Sequence, residues 1–136
     1  MNSNCRPFWL STTAAVALAL ISGLAAVADE APPAATPFVI KGDAAKGAET
    51  YKLYCVACHG EKGAGDGAAA VALNPKPRNF TDKVLMATIP DAEIFKAIKE
   101  GGAAVGKSPL MVPWGGILGD DQKVHDVAAY VRSLGK

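Results

Sequence analysis

The stretch Cys55-Val56-Ala57-Cys58-His59 decides how this chain is read. C-x-x-C-H is the attachment pattern of a c-type haem. Two cysteines three positions apart share one helix face, so both sulfurs can form thioethers with the two vinyl groups along one porphyrin edge. The adjacent histidine can then turn a ring nitrogen toward the iron. Other readings of the same residues are a C-x-x-C redox pair, a zinc site and two core cysteines. A redox dithiol needs a strand-helix-strand setting, and no stretch here alternates apolar and polar residues as a strand does. For zinc the donors on paper are Cys55, Cys58, His59 and His125, but His59 abuts Cys58 and the two cannot easily share a tetrahedral site.

Working outward, residues 1–28 read as an export signal. A polar start with Arg6 precedes an apolar run from Ala14 to Ala28, which ends in the small-x-small pattern Ala26-Val27-Ala28. The rival is an uncleaved anchor, but about 15 apolar residues fall short of the roughly 20 that span a bilayer. Cys5 precedes the apolar run and leaves with it. The expectation is therefore a periplasmic protein with no membrane span after cleavage. Removing Arg6 takes the net charge from +1 to zero, and a chain without a basic field has no electrostatic footprint for nucleic acid. The pair Cys55 and Cys58 is too close in sequence to form the disulfide framework that staples small secreted domains.

Residues 29–38, rich in Ala and Pro, read as a flexible leader. The folded domain is expected over residues 39–136, about a hundred residues, for which a large buried cofactor would supply much of the core. Three helical patterns stand out. The first opens at Gly42-Asp43, with Asp43 as N-cap, and runs through Gly47, Ala48, Tyr51 and Cys55 to Cys58. A second follows Pro90-Asp91, keeps Ile94, Phe95 and Ile98 on one face and stops at Gly101-Gly102. The last starts near Gly119-Asp120-Asp121 and aligns Val124, Val127, Ala128, Val131 and Leu134. Between the first two the chain is loop-rich, with Gly60, Gly63, Gly65 and Gly67 read as tight turns close to a flat cofactor; a short helical turn is expected within 79–86.

These residues together resemble the class I cytochrome c family over Lys41 to Leu134. The resemblance rests on Gly47, Tyr51 and C-x-x-C-H-G at 55–60, on Gly-x-Gly-Asp-Gly at 63–67 and on Ile-x-x-Gly-Gly at 98–102. It extends to the Met111–Gly116 segment and Val-Ala-Ala-Tyr-Val-Arg-Ser-Leu at 127–134. It implies an all-α small cytochrome c fold, with three to five helices wrapped around one covalent haem c. It also implies first and last helices that cross at close range, Gly47 and Tyr51 meeting Tyr130.

Cys55 and Cys58 would hold the haem and His59 would supply the first axial ligand. For the second, the candidates are Met86, Met111 and His125. Met111 lies in Ser108-Pro109-Leu110-Met111-Val112-Pro113-Trp114, which prolines keep out of regular helix, and such a loop can fold a thioether over the haem face opposite His59. The resemblance points to the same residue, although Val112 stands where many members have proline. Met86 reads as a core filler and His125 as a solvated surface residue. Trp114 and Arg78 are candidate haem propionate contacts, each balanced against plain packing or a solvated charge. The second ring nitrogen of His59 needs an acceptor, for which the Pro75 and Pro77 carbonyls are candidates.

A His/Met pair raises the haem potential relative to bis-histidine and leaves the iron no open position. The expected function is thus an exported monohaem one-electron carrier between redox proteins, such as a dehydrogenase, an oxidase or another cytochrome. It would act as a monomer or as the cytochrome subunit of a redox complex, and not itself as an enzyme. The alternative is a five-coordinate haem enzyme or gas sensor. Lys62, Lys76, Arg78, Lys83 and Lys107 fall near the loops expected to flank the haem, giving either a locally basic rim or an evenly mixed surface.

Overall fold

Two capped helices that cross through a glycine set the frame. The computed structural model describes residues 36–136; the signal segment and residues 29–35 of the leader lie outside the described residues. Helix α1, Ala44–Tyr54, starts where expected: the Asp43 carboxylate accepts from the Ala45 and Lys46 amides, which otherwise have no partner in the first turn. The last helix, designated α6, spans Asp121–Leu134 and is capped in the same way by Asp120, which accepts from the Lys123 amide at 2.8 Å.

The two helices meet at Gly47. A methyl group there would collide with the Asp126 carbonyl of α6, and one on Gly42 would collide with the His125 carbonyl, so the backbones touch without intervening side chains. Just beyond the contact the Tyr51 and Tyr130 rings pack edge to face, centroids 5.0 Å apart. The phenol of fully buried Tyr51 donates to the Gly60 carbonyl at 2.9 Å, tying α1 to the turn that follows the motif. The stripe Val124, Val127, Ala128 and Val131 is buried and forms the centre of the core.

Asp126 interrupts that stripe with a buried carboxylate. It is satisfied: its Oδ1 accepts from the Asp43 amide at 2.7 Å and from Gln122 Nε2 at 3.0 Å. One acid on α6 thereby anchors the cap of α1, and a buried charge with such donors is far cheaper than a bare one.

Between these helices lie α2 (Val56–His59), α3 (Lys83–Thr88), α4 (Asp91–Glu100) and α5 (Gly115–Leu118), with 3-10 turns at Ala68–Ala72 and Gly102–Val105. Among the described residues there is no strand. Ile94 and Ile98 of α4 and Met86 of α3 complete the core. Arg132 of α6 staples this side: Nε donates to Asp91 Oδ1, and Nη1 and Nη2 donate to the Met86 and Ile89 carbonyls at 2.6 Å each. The Ile89 carbonyl at the end of α3 is thereby satisfied, and the Met86 carbonyl gains a shorter partner than the Ile89 amide at 3.4 Å.

Two expectations need correction. The first helix does not run unbroken to Cys58: α1 ends at Tyr54 and Cys55 is the joint, at φ −109° and ψ −26°. Helical bonding persists across it, since the Cys55 amide donates to Tyr51 and the His59 amide to Cys55, both at 2.9 Å. The motif is thus a bent turn and not one straight face. The short α5 and both 3-10 turns were not expected, because four or five small residues leave no periodicity to read. The leader's last residue also packs onto the domain: the Phe38 ring lies 5.1 Å from Phe95 and 5.7 Å from His125. Among the described residues, no helix is long and apolar enough to cross a membrane.

Candidate cofactor site

The bend at Cys55 and the turns after His59 assemble the site. Gly65 carries φ +78°, and a side chain there would meet the Pro77 carbonyl, so only glycine lets the chain close on itself at this point. The Gly65 amide donates to the His59 carbonyl at 2.9 Å and the Phe80 amide to the Gly63 carbonyl at 2.7 Å. These bonds bring Phe80 back over the motif, its ring stacked on the His59 imidazole with centroids 4.8 Å apart.

The opposite wall hangs from the end of α4. Gly101 ends that helix at φ +86°, and Gly102, against which the Ser108 carbonyl and Met111 Cβ press, donates its amide to the Met111 carbonyl at 2.8 Å. The Met111 amide donates to Ser108 at 3.1 Å and the Trp114 amide to Ile98 at 3.0 Å. The loop from Ser108 to Trp114 is therefore tied at Met111 to Gly102, just beyond α4, and at Trp114 to α4 itself. Its register places Met111 toward the motif.

Between the walls lies a cavity. Cys55, Cys58, His59, Met111 and Trp114 all line it, with Tyr54, Leu73, Leu110 and Val112 as the apolar remainder. A second cavity shares His59, Leu73 and Met111 and adds Phe80, Pro75, Pro77, Ser108, Lys76, Arg78 and Lys107. His59 and Met111 thus border both spaces, one with an apolar rim and the other with a cationic one.

The other two ligand candidates are elsewhere. Met86 is fully buried in the core, with Gly135 against its side chain. His125 is half-buried and not solvated as expected: it packs against Phe38 and Phe95, and its Nδ1 accepts from the Lys41 amide at 3.2 Å. Among the described residues no three His, Cys, Asp or Glu side chains are grouped to hold a metal ion, so His125 does not join Cys55, Cys58 and His59 in a zinc site. Of the five cations considered for a basic rim, Lys76, Arg78 and Lys107 line the second cavity, and Lys62 and Lys83 line neither. Trp114 packs against Tyr54, ring centroids 5.3 Å apart, and Arg78 is engaged by Glu93 at 2.6 Å.

The electrostatics suit a ligating imidazole and an unactivated Cys55 thiol. Burial pushes the His59 pKa down to about 4, keeping the ring neutral at pH 7 as a metal ligand must be. Its Nδ1 is buried without a hydrogen-bond partner, so neither the Pro75 nor the Pro77 carbonyl reaches it. Burial, reinforced by the neighbouring Cys58, pushes the Cys55 thiol up to about 12. Catalytic dithiols depress that pKa to make a thiolate; here the shift runs the other way. Burial also raises the Tyr51 phenol above its ordinary value, in keeping with its role as a neutral donor.

These features fit a haem: two thiols beside a neutral imidazole with an unspent buried nitrogen, a thioether bordering the same spaces, and an apolar lining. One lining residue carried no sequence signal: Leu73 lies in an alanine-rich stretch without periodicity. Tyr54 had a weak signal, three positions after the core Tyr51 and one before the motif.

Comparison with known proteins gives concordant results. The family model described as cytochrome C oxidase, cbb3-type, subunit III matches residues 42–131. The Cbb3-type cytochrome c oxidase subunit FixP of Bradyrhizobium diazoefficiens is 36% identical over 93 residues, and the protein of the same name from Bradyrhizobium sp. strain ORS 278 is 34% identical over 93 residues. In both cases the match covers 68% of this chain but 28% of the relative, so the chain spans little more than a quarter of the length of these relatives.

Proposed function

Because the chain belongs to the cbb3-type cytochrome c oxidase subunit III family of c-type cytochromes, we propose that it is an exported monohaem one-electron carrier module. In this reading Cys55 and Cys58 would hold the haem covalently, and His59 and Met111 would ligate its iron. The observation that carries it is the placement of all four on one apolar cavity, although Met111 is more than fifty residues from the motif. The haem supplies the one-electron chemistry, and the protein supplies ligation, burial and orientation.

Each residue has a physical task. His59 stays neutral through burial and is held flat by Phe80. Met111 offers a soft thioether, which favours reduced iron and so a higher potential. Leu73 and Trp114 give the ligands apolar cover, and the more exposed Tyr54, Leu110 and Val112 form the rim. With His59 and Met111 both ligating, the iron would be left for electron transfer and not for binding substrate.

The names of the two relatives favour service as a subunit of an oxidase complex over free diffusion, with electrons passed between redox proteins. The chain is then an electron-transfer component and not the catalyst. Residues 1–28 support export to the periplasm, and the sequence carries one C-x-x-C-H. An absorption spectrum of the purified, reduced protein with and without carbon monoxide tests the reading. A six-coordinate c-type spectrum unmoved by carbon monoxide is expected; ready carbon monoxide binding by the wild type points instead to a five-coordinate enzyme or gas sensor.

A further inference from the structure

Arg78 enters the second cavity from the proline-flanked loop 75–78, on a wall that also holds His59 and Met111. Its Nη2 is bound at 2.6 Å to Oε1 of Glu93, which belongs to α4. The two side chains are 27% and 30% exposed, covered enough that water does not fully screen them. The other cations on that wall, Lys76 and Lys107, are exposed and more strongly screened. Arg78 is therefore the cation with the largest effect on this wall, and Glu93 is the acid paired with it.

We infer that Arg78 and Glu93 act on the reduction potential of the site as a balanced pair, Glu93 cancelling most of the charge that Arg78 places on the cavity wall. This rests on the haem reading above. The physical reason is elementary. Reduction lowers the positive charge of the iron by one as it takes one electron from a mediator, with no bond made or broken at the pair. A lone cation nearby favours the reduced form and a lone carboxylate favours the oxidised form, whereas a close pair acts as a dipole whose field falls off faster than either charge.

The test is a mediated spectroelectrochemical titration of the haem-loaded protein and its variants. Glu93→Gln exposes the charge of Arg78 and shifts the reduced-to-oxidised ratio toward reduced about three- to tenfold, where tenfold is about 59 mV for one electron. Arg78→Gln shifts it by a similar factor toward oxidised. The double variant, with the same net charge as the wild type, returns to within about twofold of it, as do the charge-conserving Glu93→Asp and Arg78→Lys. A merely structural role would not produce opposite shifts that cancel. Partly exposed pairs contribute little to stability, so the variants fold, and helical circular dichroism checks this; Glu93→Gln, altered outward on α4, decides the sign alone if Arg78→Gln does not fold. Single variants that carry haem yet stay within twofold of wild type, or a double variant that does not return, overturn this inference alone. A wild-type preparation without covalent haem overturns the reading beneath it and this inference with it.

Discussion

Replacing Gly47 by alanine probes the contact on which the frame depends. The added methyl would overlap the Asp126 carbonyl, a backbone atom that cannot rotate aside. The helices must therefore part, loosening the Tyr51–Tyr130 contact and the Asp126 anchor to the Asp43 amide. Overpacking costs about 1–3 kcal/mol where side chains can yield, and a collision with backbone belongs at the top of that range. Losing the charge-assisted bond to Asp43 adds about 1.5–3 kcal/mol. Alanine regains about 1 kcal/mol of helix propensity. The net is a destabilisation of about 4 kcal/mol, or about 16–32 °C in Tm for a domain of this size. Gly116→Ala is the control, since a methyl there meets nothing within 4 Å; its Tm should stay within about 4 °C of wild type. Thermal melts of the haem-loaded protein followed by circular dichroism make the comparison. If Gly47→Ala melts within a few degrees of wild type, the close crossing is not what the fold requires.

Two further variants test satisfied buried groups. Asp126→Ala removes the acceptor for the Asp43 amide and Gln122 Nε2 and should cost about 2–3 kcal/mol in denaturant unfolding; a loss below about 0.5 kcal/mol would show that water replaces it. Arg132→Ala strands the Ile89 carbonyl and leaves the Met86 carbonyl and Asp91 with only their longer bonds from the Ile89 and Ile40 amides. It should cost about 2–4 kcal/mol and speed amide exchange in α3 before α1, an order that a uniform loss of protection would contradict.

Local chemistry made much of this molecule legible from its residues. The carboxylates of Asp43 and Asp120 announced two helix starts because a cap acts on the next three residues only. Gly101 announced the end of α4 for the same local reason. Met111 was marked by prolines that barred its loop from helix. What escaped notice depends on partners distant in sequence. Asp126 reads as a solvated acid until the amide it anchors, 83 residues earlier, is in place. The aromatic packing of His125 requires Phe38 and Phe95, each from a different part of the chain. The bend at Cys55 has no local marker, since nothing in Tyr54-Cys55-Val56 disfavours continuing the helix strongly enough to predict it.

The assignment of Met111 opposite His59 is the claim on which the carrier reading turns. Its most direct test is the sulfur-to-iron charge-transfer band of the ferric protein, recorded for the wild type, Met111→Ala and Met86→Ala. The structure places Met111 on the cavity with His59 and Met86 in the core. The band should therefore be present in the wild type, survive Met86→Ala and vanish in Met111→Ala, which should also gain the ability to bind exogenous ligands. A band that persists in Met111→Ala and disappears in Met86→Ala would contradict the account.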